Sequence, residues 1–185
     1  RPRALKALRR VLGRSDYTAR AGSYTGGTNA IFWVDIIGRR PGGSAIVSNI
    51  TEGAKRKIQA TQTAIEEDLL FPLLRGRDIS RWNAEPSAYV IITREAGAPE
   101  KAIPLTRMKT VFPKAFSYFS KFKTELLDRK DAVLKRSFKN SSLPFYAMAA
   151  VADYTFSKWK VVWPWISPRV RASVVGYHEK KTKRA

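Results

Sequence analysis

The run Leu69-Leu70-Phe71-Pro72-Leu73-Leu74-Arg75-Gly76-Arg77-Asp78-Ile79-Ser80-Arg81-Trp82 holds the most chemistry in this chain. An apolar plug anchors it, Gly76 permits a tight turn, and Arg75, Arg77 and Arg81 alternate with Asp78 before Trp82. A guanidinium presents paired donors in one plane, so it grips phosphate oxygens or the major-groove edge of guanine at two points. Two arrangements suit the pattern. Either the arginines reach outward to phosphate or base, or an Arg–Asp pair staples the turn and Trp82 packs in the core. Asp78 and Trp82 are expected to follow the second, supporting the turn together with Gly76. A second candidate is Lys158-Trp159-Lys160, where the two lysines share one face of a strand and could follow a phosphate backbone. Its plain alternative is a solvated strand face.

Other chemistries fail on inventory. The chain has no cysteine and one histidine, His178, which removes disulfides, thiolate metal sites and a catalytic triad on any other histidine. Thr25-Gly26-Gly27-Thr28 fits neither GxGxxG nor GxxxxGK[ST]. It is expected to precede a strand, whereas a phosphate-cradling loop opens a helix, so it reads as a flexible turn. Glu66-Glu67-Asp68 are adjacent and would point apart on a helix, which suits a solvated face or a partner for a helix N-terminus better than a metal site. Glu179-Lys180-Lys181 and Asp128-Arg129-Lys130 match the tripeptide of Mg²⁺-dependent nucleases, but one lies in the tail and the other at a helix end. Leu143-Pro144-Phe145-Tyr146 falls short of the adenine-methylating pattern (N/D/S)PP(Y/F/W), because Leu143 offers no acceptor for an exocyclic amine and the second proline is missing. No catalytic residue and no metal site is expected in this chain.

Thirty-five Lys and Arg against 15 Asp and Glu give a net charge of +20 on 185 residues, with a 44% hydrophobic fraction. That fraction belongs to a folded body, and the charge attracts polyanions over a Debye length of about 8 Å. Nucleic acid is the expected partner, since each phosphate neutralised releases a counterion. No window approaches the ~18 apolar residues of a membrane span. Ala4 to Leu12 is amphipathic, with Leu5, Leu8 and Leu12 at helical spacing, but Lys6, Arg9 and Arg10 interrupt it as a secretory signal and Gly13 ends it. The chain opens on Arg1 rather than methionine and is expected to be a piece of something longer.

The elements that must position these residues are mixed. Ile31–Ile37, Ala45–Ser48, Ser87–Thr93, Lys158–Trp163 and Arg169–Val175 read as strands, with a turn at Gly38–Gly43. Lys55–Ile65 is ambiguous, Ile65–Leu70 suits a helical turn stopped near Pro72, and Gly97, Pro99 and Pro104 mark a loop. The clearest helix begins at Pro113, with Phe112, Phe116, Phe119, Phe122, Leu126 and Leu127 along one face and Lys123 placed to snorkel. Phe145–Asp153 suits a short helix. The expected fold is α+β: mainly antiparallel sheet with a few packed helices in one main domain over residues 21–178, preceded by a basic lead-in or linker helix (1–20) and followed by a charged tail (179–185).

The run LLFPLLRGRDISRW resembles the "P-hydrophobic-L-x-G-R-D-I-x-R-aromatic" segment of target-recognition domains in gamma-class adenine-N6 DNA methyltransferases, Taq-type and type IIG restriction–modification enzymes among them. Supporting pieces occur in order: Tyr24 to Phe32 resembles the "G-x-N-x-x-F" entry, Ser87 to Thr93 the strand after the turn, Pro113 to Arg129 the aromatic helix, and Pro144-Phe145-Tyr146 with Lys158 to Trp163 a later segment. The resemblance spans residues 21–175. It implies a non-catalytic domain that grips duplex DNA and helps present an adenine, flipped from the helix, to a separate upstream domain of the same polypeptide. That domain would use S-adenosylmethionine; the fragment itself needs no cofactor. The resemblance also implies the cytoplasm of a bacterium or archaeon. DNA-contacting residues would be Tyr24, Thr25 and Asn29 in the entry turn, Arg75, Arg77 and Arg81, and Lys158 and Lys160. An RNA-binding module is the alternative function, disfavoured because the chain lacks an RNP-type aromatic run and a KH-type GxxG clamp.

Overall fold

In the computed structural model, which describes residues 2–95, 97–130, 134 and 143–176, a five-stranded antiparallel sheet forms the centre. Its strands are β1 (Trp33–Arg40), β2 (Ser44–Asn49), β3 (Gln62–Glu66), β4 (Leu70–Leu73) and β5 (Ala88–Ile91), in the order β3-β2-β1-β5-β4. The fold is α+β, one compact domain. β1 and β2 form a hairpin closed at Pro41-Gly42-Gly43, where both glycines take positive φ (83° and 71°), the left-handed backbone that a two-glycine turn accommodates without strain. Pro72 lies in β4 at the sheet's edge, the place where a strand tolerates a missing N–H donor.

Helices α3 (Leu105–Val111), α4 (Pro113–Lys121) and α5 (Lys123–Leu127) supply the covering layer. Met108, Ala115, Tyr118, Phe119 and Leu126 are fully buried, and Phe32 meets Phe119 with ring centres 5.2 Å apart. Phe122 leaves helical geometry and divides the helix expected from Pro113 into α4 and α5, while α3, which ends at Phe112, was not expected; Leu127 ends exposed, whereas Tyr118 takes a core place and donates its hydroxyl to the Ile31 carbonyl at 2.7 Å. The Lys123 ammonium lies 5.8 Å from the centre of the Phe145 ring, as a snorkelling lysine does. Glu66 does serve a helix N-terminus, though a distant one: its carboxylate accepts the Lys114 and Ala115 N–H groups at 2.9 Å, where α4 begins.

Several expected elements differ. Ile31 and Phe32 belong to a single helical turn, α2 (Asn29–Phe32), because the Ile31 amide bonds back to the Thr28 carbonyl; the strand starts at Trp33 and runs past Gly38, which sits at a bulge. Ile65–Leu70 is the end of β3, one 3₁₀ turn (Glu67–Leu69) and the start of β4. The loop expected at 97–104 contains β7 (Ala98–Ala102), paired with β6 (Arg94–Glu95) around Gly97 (φ 79°). Phe145–Asp153 is not a helix: the Phe145 and Ala147 carbonyls accept from the buried Arg129 guanidinium instead of from backbone amides. The last hairpin pairs β8 (Trp159–Val162) with β9 (Ser173–Gly176), shorter than the strand expected from Arg169. The lead-in carries the helix its periodicity predicts, α1 (Pro2–Val11), with Leu5 exposed. His178, Glu179 and the charged tail lie outside the described residues.

Candidate nucleic-acid interface

The turn between β4 and β5 is built from Asp78 outward. Residues Gly76–Asp78 make one 3₁₀ turn, and the Asp78 carboxylate accepts the Arg75 amide at 2.7 Å, Arg75 Nε at 3.3 Å and the Ser87 hydroxyl. Arg75 Nη2 donates to the same Ser87 hydroxyl. The Arg75 and Asp78 side chains are only 10% and 5% exposed. Burial alone would raise the Asp78 pKa; hydrogen bonds from Ser87 and Arg75, with the Arg75 charge, outweigh it and hold the carboxyl below its ordinary value. The expected Arg–Asp staple is therefore present, and it consumes Arg75: that guanidinium is turned inward as a strut, not outward as a phosphate ligand. Gly76 has no left-handed backbone, and a Cβ there would meet Pro164 at an ordinary 3.5 Å, so the turn does not depend on glycine's conformational freedom.

Arg77 and Arg81 are exposed. Trp82 corrects the expectation of a core tryptophan. It is 77% exposed at a positive φ of 68°, with its amide donating to the Ala172 carbonyl at 3.0 Å and the Arg81 guanidinium 5.4 Å from its ring centre. Its amide bond to Ala172, and the approach of Gly76 to Pro164, place the turn against the segment joining β8 to β9. Two runs about ninety residues apart in sequence thus meet on one surface.

That hairpin is oriented opposite to expectation. Lys160 points inward, its ammonium donating to the Thr155 carbonyl at 2.6 Å while burial lowers its pKa. Lys158 precedes the strand and is exposed. The outward face carries Trp159, Val161 and Val174, with Val161 directly opposite Val174 and the Trp159 ring laid over Gly176. A Cβ at Gly176 would come within 2.4 Å of that ring, so the present seat of the Trp159 ring depends on glycine there.

The entry turn serves the interior more than the surface. Thr25 is buried, its hydroxyl donating to the Asn29 side chain. Tyr24 and Asn29 are exposed; Tyr24 exchanges both backbone hydrogen bonds with Ala149. The glycine-rich loop does open a helical turn, contrary to expectation, and its Thr25 carbonyl accepts from Arg129. That guanidinium, fully buried, donates to the carbonyls of Thr25, Leu126, Phe145 and Ala147. Gly26 (φ 69°) is the contact point, since a Cβ there would stand 2.9 Å from both Arg129 and Leu134.

Beside the turn, Trp33, Ile50, Glu52, Arg75 and Arg77 line an open cleft of about 270 Å³. Sequence reasoning passed over Trp33 and Glu52, which contact the turn only through the fold. It also passed over the exposed aromatics of the hairpin, whose alternation was read from the lysines rather than the tryptophans. The absence of acidic residues from 157–176 was the available signal. No helix among the described residues is long and apolar enough to cross a membrane. No protein-family model, curated protein or solved structure matches this chain.

Proposed function

We propose that this chain is a nucleic-acid-binding module: the non-catalytic, duplex-DNA-gripping target-recognition part of an adenine-N6 DNA methyltransferase of the restriction–modification type. The observation that supports the reading is the meeting of the GRDISRW turn with the segment joining β8 to β9, which brings the exposed Arg77 and Arg81 beside the run that carries the exposed Arg169, with Lys158 exposed at the start of the same hairpin, on a protein of net charge +20. Phosphate contacts from such cations supply affinity without sequence reading and help offset the few kcal/mol needed to unstack a base. The methyltransferase part of the proposal rests on the sequence resemblance alone. On it, another domain of the same polypeptide binds S-adenosylmethionine and performs the transfer, in a bacterial or archaeal cytoplasm, and this chain contributes position rather than chemistry.

Arg77 and Arg81 separate the two kinds of contact. Selection of bound duplexes from a random-sequence pool, followed by affinity measurements on Arg77→Ala and Arg81→Ala, distinguishes them. A base reader loses about 1–3 kcal/mol of preference at one position, while a phosphate contact weakens all sequences alike. If neither substitution changes affinity or preference, the turn is not a DNA contact. An RNA module is the second reading, favoured by the outward tryptophans, and single-stranded RNA outcompeting duplex DNA would select it.

A further inference from the structure

Four of the five tryptophans stand exposed: Trp82, Trp159, Trp163 and Trp165, the last at 87%. Ile166 and Val170 (94% exposed) also stand exposed on the segment that carries Trp165. A folded protein gains roughly 1.5–3 kcal/mol from burying a large apolar side chain, so a surface that forgoes this repeatedly is built to be covered. Trp82 costs more than exposure. A bulky residue at positive φ is strained, and here the Ala172 hydrogen bond and the Arg81 stacking hold it with the ring outward.

The charge around the patch says what covers it. Residues 157–176 contain no Asp or Glu, and Lys158 and Arg169 stand exposed there while Lys160 is turned inward. In the turn, Asp78 is already neutralised by Arg75, and neither Arg77 nor Arg81 forms an ion pair among the described residues, although Glu52 lines the cleft beside Arg77. A second copy of the chain would bring like charges face to face across a symmetric contact. A polyanion with flat apolar faces satisfies both features: its bases stack on indole rings while its phosphates meet the arginines and Lys158.

We infer that the exposed Trp82 and Trp165, brought together where the turn meets the segment joining β8 to β9, take unpaired nucleotides, stacking their bases, so that the module recognises nucleic acid at locally opened strands in addition to gripping the duplex. This deepens the proposed function and rests on its polyanion-binding part. Sequence reading by Arg77 and Arg81 is a separate matter.

The test titrates the full chain with three labelled DNAs at one salt concentration: a perfect duplex, the same duplex carrying a short unpaired bulge, and an oligothymidylate of roughly a dozen nucleotides, about one binding-site length. Vesicles containing phosphatidylglycerol form a fourth arm, and sedimentation without DNA reports self-association. The bulged duplex is expected to bind roughly tenfold more tightly than the perfect one, and to quench tryptophan fluorescence. Trp165→Leu should remove most of that preference while leaving perfect-duplex affinity within about twofold, and Trp82→Leu should also remove it. Trp82→Gly relieves the positive φ, so it should melt no lower than the parent and still lose the preference, which separates stacking from misfolding. Equal affinity for bulged and perfect duplex, with the tryptophan variants unchanged, overturns the inference and leaves the duplex-binding reading standing. Binding to none of the DNAs overturns both. Tryptophan-dependent vesicle binding without a preference for the bulge, or self-association abolished by Trp165→Leu, assigns the face to lipid or to a second copy and also overturns it.

Discussion

Asp78→Ala tests whether the arginine turn is held from within. Asp78 accepts the Arg75 amide, Arg75 Nε and the Ser87 hydroxyl, and both members of the ion pair are almost withdrawn from solvent. Removing one side of a buried pair strands the other, a loss of about 3–5 kcal/mol in a fully closed site. Ser87 is exposed and remains as a partner for Arg75 Nη2, which brings the expected loss down to about 2–3 kcal/mol. Asp78→Asn keeps an acceptor for the amide and should lose about 1 kcal/mol. Urea unfolding at neutral pH measures this, and a double-mutant cycle with Arg75→Ala should show a coupling of at least ~1 kcal/mol. The carboxyl is held below its ordinary pKa, so its stabilisation is fully present above the ordinary carboxylate range. It fades as pH falls through the folded value, and the alanine variant should therefore show a flatter acid limb below about pH 4. The binding consequence has a decisive sign. Deleting a negative charge from a cationic surface would by itself strengthen nucleic-acid binding, whereas losing the strut that aims Arg77 and Arg81 weakens it. A variant that is as stable as the parent to within ~0.5 kcal/mol, or that binds DNA more tightly, refutes the positioning role.

Three further outcomes follow from the same geometry. Gly26→Ala should destabilise by about 2–4 kcal/mol, because positive φ and the Arg129 and Leu134 contacts act together; Gly27→Ala, at φ 83° with open space around it, should cost only about 1 kcal/mol by the same urea assay. Lys158→Ala should weaken duplex binding and reduce its salt dependence, while Lys160→Met should leave both unchanged because its ammonium is engaged with Thr155. Burial pushes the Tyr118 and Tyr146 pKa values well above the ordinary tyrosine value, so these groups stabilise the fold below about pH 10 and the contribution is lost at higher pH, where the unfolded chain releases the protons. Alkaline unfolding followed by tyrosinate absorbance should be steep there, and Tyr118→Phe should make it shallower.

Where the amino-acid sequence was informative, the reason was local. The β1–β2 hairpin announced itself by β-branched runs around Pro41-Gly42-Gly43, α4 by Pro113 and its aromatic spacing, and the turn staple by Arg75 and Asp78 three residues apart. What escaped depended on partners distant in the chain. Arg129 looks like an ordinary surface arginine closing a helix until the carbonyls of residues 25, 145 and 147 converge on it. Trp82 was expected inside because tryptophan usually is, and its backbone hydrogen bond to the distant Ala172 carbonyl is a contact no local pattern announces. Strand periodicity gave two faces for Lys158–Trp163 but no means of choosing which faced water, and the lysines suggested the wrong one.

The central claim, that a cationic surface built from the turn and the hairpin grips nucleic acid through phosphates, is most directly tested by duplex affinity as a function of salt. With at least Arg77, Arg81, Lys158 and Arg169 on phosphates, log affinity should fall with log salt at a slope of about −3 to −4, and the Arg77→Ala, Arg81→Ala double variant should reduce that slope by about 2. An affinity indifferent to salt, or a slope the double variant leaves unaltered, contradicts it.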